Sequence, residues 1–161
     1  MTLKKWILLA DANPSEADQT LRALAHSFAP PAVVVARDGA EVMDCFHRRN
    51  GFQNRPDGHP AVVLLDVKMP NSGGWEVLRQ MKSDARLKTI PVVIFTSSRN
   101  ESDLARSYQL GANAYLVKPT QFRQLTAVLE EVRVFWIVLN ELPLDGAGEG
   151  NAEPAQLATA A

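Results

Sequence analysis

Residues 61–78 read AVVLLDVKMPNSGGWEVL. Ala61 to Leu65 form an unbroken apolar run that ends at the carboxylate of Asp66. A turn-rich segment then leads to apolar positions at Val77, Leu78 and Met81. A strand with one wet face alternates apolar and polar residues, so the continuous run predicts a strand covered on both faces. The three-and-four spacing that follows predicts a helix. The same unit recurs along the chain. Trp6–Ala10, Ala32–Ala36, Val92–Phe95 and Ala114–Val117 are further apolar runs. Helical spacing appears at Ala17, Leu21, Leu24, Ala25 and Phe28, at Val42, Met43 and Phe46, and at Phe122, Leu125, Val128, Leu129 and Val132. It is weaker at Leu104, Tyr108 and Leu110. Repeated strand–helix units imply right-handed crossovers, hence an α/β domain with a parallel sheet and helices on both faces.

The composition narrows the class of function. The chain has 161 residues and a formal net charge of −1, with no basic stripe for nucleic acid. Cys45 is the only cysteine, which excludes an intramolecular disulfide and a cysteine metal cluster. His26, His47 and His59 lack metal-ligand spacing. The first apolar run is too short for a signal peptide, nothing approaches a membrane span, and a cytoplasmic setting is expected. Residues 50–60, NGFQNRPDGHP, read as a long turn-rich loop. Residues 1–143 are expected to form the folded domain. The tail at 144–161 has little bulky apolar content and is expected to be disordered, with no room for an appended output domain.

Ligands of such sheets bind outside the carboxyl ends of the strands. Those ends are Asp11, Asp66, Thr96 and Lys118. Singly, Asp66 is equally a turn cap and Thr96 an N-cap. Lys118 precedes Pro119, which holds it extended and directs its side chain from the rim. Together the four offer a nucleophilic carboxylate, an ammonium and a hydroxyl, suited to accepting a phosphoryl group with a divalent cation nearby.

The pieces ILLADANP, VVLLDVKMPNSGGWEVL, IPVVIFTSS and GANAYLVKPT resemble the receiver domain of two-component response regulators over roughly Lys4 to Glu131. The resemblance implies a flavodoxin-like five-stranded sheet of order 2-1-3-4-5. It implies Asp66 as phosphoacceptor from a sensor histidine kinase, with Lys118 and Thr96 on the phosphoryl oxygens and Tyr115 as an aromatic switch. It implies Mg²⁺ held by Asp66, the backbone carbonyl of Lys68 and acids ending the first strand, Asp11 among them. It also implies a cis bond before Pro119 and a turn glycine at Gly74. The NP after the acidic position, the loop ending RPDGHPAVVLLD and the ending VFWIVLNELP are similar to single-domain regulators associated with phytochromes, many of which dimerise through their C-terminal region.

Two features depart from that pattern. Ala12 stands where the family carries a second acid, which predicts weakened Mg²⁺ binding, and Gly73 replaces another frequent acid. Glu16 is near enough to substitute, but Asn13-Pro14-Ser15-Glu16 reads as N-cap, first-turn proline and a glutamate reaching back in a capping box. Beyond Val132, the run of Val134, Phe135, Trp136, Ile137, Val138 and Leu139 leaves almost no polar face. A terminal helix needs one apolar stripe, so the excess predicts a homodimer anchored by Phe135, Trp136, Val138 and Leu139. Ala12 also admits a pseudo-receiver that signals without phosphorylation. A haloacid-dehalogenase-type phosphatase would need an acid two residues after Asp66, where Lys68 stands.

Overall fold

The computed structural model describes residues 4–71 and 73–143; the expectation of a disordered tail at 144–161 lies outside them. Five parallel strands, β1 (Trp6–Ala10), β2 (Ala32–Ala36), β3 (Val62–Leu65), β4 (Val92–Thr96) and β5 (Ala114–Val117), form one sheet of order β2-β1-β3-β4-β5. The helices between and after them are α1 (Pro14–Ala25), α2 (Gly39–Phe46), α3 (Gly73–Ser83), α4 (Glu101–Gln109) and α5 (Phe122–Arg133).

The continuous apolar runs are explained by two cores. Leu8, Val63, Leu65, Val92 and Ile94 pack one face of the sheet against Val42 and Cys45 of α2 and Val77, Leu78 and Met81 of α3. Their neighbours Ile7, Leu9, Val62, Leu64, Val93 and Phe95 pack the other face against Ala17 and Leu24 of α1 and Leu125 and Leu129 of α5. Strand side chains alternate between faces, and here both faces are dry. Among the described residues, no helix is long and apolar enough to cross a membrane.

Three local expectations change. Helix α1 ends at Ala25, so Phe28 falls outside it and is fully exposed. Helix α4 forms, but Leu104 and Tyr108 point outward and its buried residue is Ser107. The Ser107 hydroxyl donates to the Asp103 carbonyl at 2.8 Å and accepts from Trp75 Nε1 at 3.3 Å. A small polar residue satisfied on both sides therefore packs inward, which an apolar period cannot register. The third concerns the peptide before Pro119, which is trans because the described residues contain no cis bond; trans is the lower-energy form even before proline.

After Arg133 the backbone widens into a π-helical turn over Val134–Leu139, closed by the Asn140 N–H donating to the Phe135 carbonyl at 2.7 Å. Lys5 Nζ donates to the Asn140 carbonyl at 2.6 Å and ties the turn to the start of the domain. Trp136 and Ile137 lie against the α1/α5 core, whereas Phe135, Val138 and Leu139 are exposed.

Candidate functional site

Parallel pairing in register brings the carboxyl ends of β1, β3, β4 and β5 to one rim. Asp11 follows β1 and Asp66 follows β3, with the Asp66 N–H donating to the Ala10 carbonyl at 3.0 Å. Lys118 follows β5, and its N–H donates to the Thr96 carbonyl at 2.7 Å. The sheet thus assembles acids more than fifty positions apart, and all four rim residues are buried.

Each carboxylate is held at both oxygens. Asp11 Oδ1 accepts from the Asn13 N–H at 2.9 Å and Oδ2 from Lys118 Nζ at 2.7 Å. Asp66 Oδ1 accepts from the Lys68 N–H at 2.9 Å and Oδ2 from Lys118 Nζ at 2.8 Å. The ammonium also lies 5.7 Å from the centre of the Phe95 ring, within cation–π range. Burial pushes the Asp11 carboxyl up from its ordinary value, against the pull of Lys118. Burial alone would lower the Lys118 ammonium, but the hydrogen bonds and charges of Asp11 and Asp66 outweigh it and hold it above its ordinary value.

Glu16 is the residue the sequence reading misplaced. Its Oε2 accepts from Lys118 Nζ at 3.1 Å, so it belongs to the rim. The capping box fails for a definite reason: the Asn13 N–H it would use is already given to Asp11. Asn13 still caps α1, its side chain accepting from the Ser15 and Glu16 N–H groups at 3.0 and 3.1 Å. The signal lay in Asp11 itself, which competes for the same N–H from two residues upstream. Ala12 packs its methyl group against the core beside α2 and α3.

Thr96 is fully buried and caps no helix; its hydroxyl accepts from the Ser98 N–H at 3.4 Å, while Asn100 caps α4. Tyr115 is half-buried and its hydroxyl donates to the Ser98 carbonyl at 2.9 Å. Thr96 and Tyr115 thus engage opposite sides of one residue. Lys68 is exposed, with Nζ 3.2 Å from the Ser97 hydroxyl. Gly74 abuts the site from α3: a Cβ there would collide with the Asp66 carbonyl oxygen. Phe135, Trp136, Val138 and Leu139 lie on the C-terminal turn, apart from the rim.

Asp11, Glu16 and Asp66 place one oxygen each within 4.8 Å of the others. Hard oxygen donors of this kind suit Mg²⁺ or Mn²⁺. The Lys118 ammonium, within 3.1 Å of all three, shows that positive charge is accommodated between them.

Comparison with known proteins agrees with this geometry. Response regulator Rcp1 of Synechocystis sp. is 32% identical over 139 residues, covering 86% of this chain and 93% of Rcp1. The crystal structure of the phosphorylated cyanobacterial phytochrome response regulator RcpA matches at a TM-score of 0.78 and 36% identity, covering 88% of this chain and 99% of RcpA. The bacteriophytochrome response regulator AtBRR is 47% identical at a TM-score of 0.69, covering 87% of this chain and 100% of its own. The family profile of the response regulator receiver domain spans residues 7–130. With that match laid over the sheet whose strand ends carry Asp11, Asp66, Thr96 and Lys118, the chain belongs to the response regulator receiver domains of two-component signalling.

Proposed function

We propose that this receiver accepts a phosphoryl group on Asp66 from the phosphohistidine of a sensor kinase, in a phytochrome-linked pathway, and signals through protein contacts. The observation that carries the proposal is the Asp66 carboxylate, buried at the rim with Lys118 at 2.8 Å. That RcpA is described in a phosphorylated form and Rcp1 in a Mn²⁺-bound form supports it.

In the transfer, an Asp66 carboxylate oxygen forms the new P–O bond as the P–N bond of the phosphohistidine breaks. The electron pair of the broken bond stays on the imidazole nitrogen. Lys118, released from part of its carboxylate contacts, bonds the arriving phosphoryl oxygens, and the Thr96 hydroxyl turns to them from its place beside Ser98. Asp11, Asp66 and the Lys68 backbone carbonyl are the proposed metal ligands. A bound Mg²⁺ supplies counter-charge to the phosphoryl oxygens. Loss of the Thr96–Ser98 contact loosens the backbone that holds the Tyr115 hydroxyl, which gives the aromatic switch its route. Assistance to phosphorylation and dephosphorylation is confined to these groups.

A homodimer through the C-terminal turn belongs to the same proposal. Phe135, Val138 and Leu139 are 49%, 56% and 63% exposed, unusual for three large apolar side chains in five residues. Beside them Val93, Leu116, Val128 and Trp136 line an apolar groove. A single mass matching the monomer at micromolar concentration in light scattering would refute the dimer. The buried free thiol of Cys45 accords with a reducing cytoplasm.

The test of the phosphoacceptor is intact-mass measurement with a small phosphodonor, with and without Mg²⁺, on the wild type and Asp66→Asn. One added phosphoryl group in the wild type alone is expected. No gain under any condition would favour the second reading, a pseudo-receiver, for which the Ala12 methyl packed on the core is the specific support.

A further inference from the structure

We propose that Glu16 takes the place of the acid missing at position 12, so that Asp11, Glu16 and Asp66 together hold the divalent cation. The inference rests on the phosphoacceptor reading of the rim and assigns a residue to its metal site.

The charges favour a further cation. Three carboxylates converge on the single ammonium of Lys118 at 2.7, 3.1 and 2.8 Å, leaving a surplus of negative charge in a largely buried site. Such a surplus is costly away from water unless a cation joins it. Ala12 offers no oxygen and its methyl group is packed on the core.

Glu16 is positioned to supply one. It is not engaged in capping α1, because the Asn13 N–H goes to Asp11. Its side chain is 38% exposed against 1% for Asp11 and 6% for Asp66, so it is the least confined of the three. A cavity of about 250 Å³ lined by Glu16, Gln19, Thr20, Ser97 and Lys118 opens beside it and gives the Glu16 side chain room to move. Neighbouring ligand oxygens around Mg²⁺ are ~3 Å apart and opposite ones ~4.2 Å. The three oxygens here span at most 4.8 Å, so small side-chain adjustments close the set.

The test is Mn²⁺ binding to the full chain, read from the free-ion electron paramagnetic resonance signal. The proteins are the wild type, Glu16→Gln, Ala12→Asp and the double variant. Glu16→Gln is expected to weaken binding about tenfold or more in the natural background. In the Ala12→Asp background, where the acid is restored, the loss should shrink to about threefold or less. Equal losses in the two backgrounds, or none, overturn the proposal. So does a wild type that binds no Mn²⁺ at millimolar concentration. Glu16→Ala repeats the comparison without the amide, and circular dichroism verifies that each variant is folded. Phosphorylation of Asp66 is scored separately by mass. Metal binding that follows Glu16 while Asp66 takes no phosphate overturns the phosphoacceptor reading and spares the ligand. Phosphorylation with binding indifferent to Glu16 does the reverse.

Discussion

Replacing Gly74 by alanine sets two effects of opposite sign against each other. Gly74 lies in the first turn of α3, where helix propensity alone favours alanine by about 1 kcal/mol. The site reverses that sign. A Cβ at Gly74 would collide with the Asp66 carbonyl oxygen and lie 2.6 Å from the Val67 Cα. Both neighbours are backbone, so no side chain can rotate away. The Asp66 backbone is also fixed by its N–H to the Ala10 carbonyl at 3.0 Å, and Gly74 itself donates to the Val67 carbonyl at 3.3 Å. Overpacking of this kind costs about 1–3 kcal/mol, and a rigid backbone wall puts it at the upper end. Net of propensity, Gly74→Ala should destabilise the domain by about 2 kcal/mol. For a chain of this length that lowers Tm by roughly 4–8 °C. Urea titration and calorimetry measure it, and phosphoryl uptake should fall because the displaced segment carries Asp66. Gly73→Ala separates the causes: its φ of +67° is strained for alanine by about 1–2 kcal/mol, but no atom lies within 4 Å of the added methyl. A Gly74→Ala protein as stable as the wild type would refute the close-approach reasoning.

Further outcomes follow from other buried groups. Lys118→Met leaves Asp11 and Asp66 buried without their cation and should cost about 3 kcal/mol; urea titration should show part of it returned by Mg²⁺. Asn113 Oδ1 accepts from the buried Val92 N–H at 2.9 Å and from Lys82 Nζ at 3.1 Å. Asn113→Ala should therefore cost about 1–3 kcal/mol and raise hydrogen exchange at Val92. Burial pushes the Cys45 thiol up to about 11 from 9.0. The folded state then keeps a proton that the unfolded chain gives up, so stability should fall by about 3 kcal/mol as pH rises through that window. Thiol-reagent labelling at pH 8 should follow unfolding and be slow in the native protein; rapid native labelling would contradict the burial of Cys45.

Much of the rim was legible because strand ends in a parallel sheet share one edge whatever the loops between them do. A continuous apolar run followed by Asp66 locates that carboxylate, and the same holds for Asp11, Thr96 and Lys118. Helix α4 shows what an apolar period leaves out. Its apolar residues Leu104 and Tyr108 face outward, while Ser107 packs inward through hydrogen bonds that hydropathy does not encode.

By itself, the sequence determined the strands, their parallel arrangement, and the carboxylates and ammonium at their ends, while the strand order was implied by the family resemblance. These depend on local apolar runs and on a chirality rule that holds for any such chain. Only the tertiary structure decided the allegiance of Glu16 and the exposure of the last helical turn. Glu16 had two partners within reach, the Asn13 N–H and the Lys118 ammonium, and the choice turned on Asp11 having taken the first. Similarly, Val134–Leu139 is apolar throughout, and only packing against the α1/α5 core separates the half-buried Trp136 and Ile137 from the exposed Phe135, Val138 and Leu139. Where side chains compete for one partner or one surface, the outcome is set by which competitor the fold brings closest.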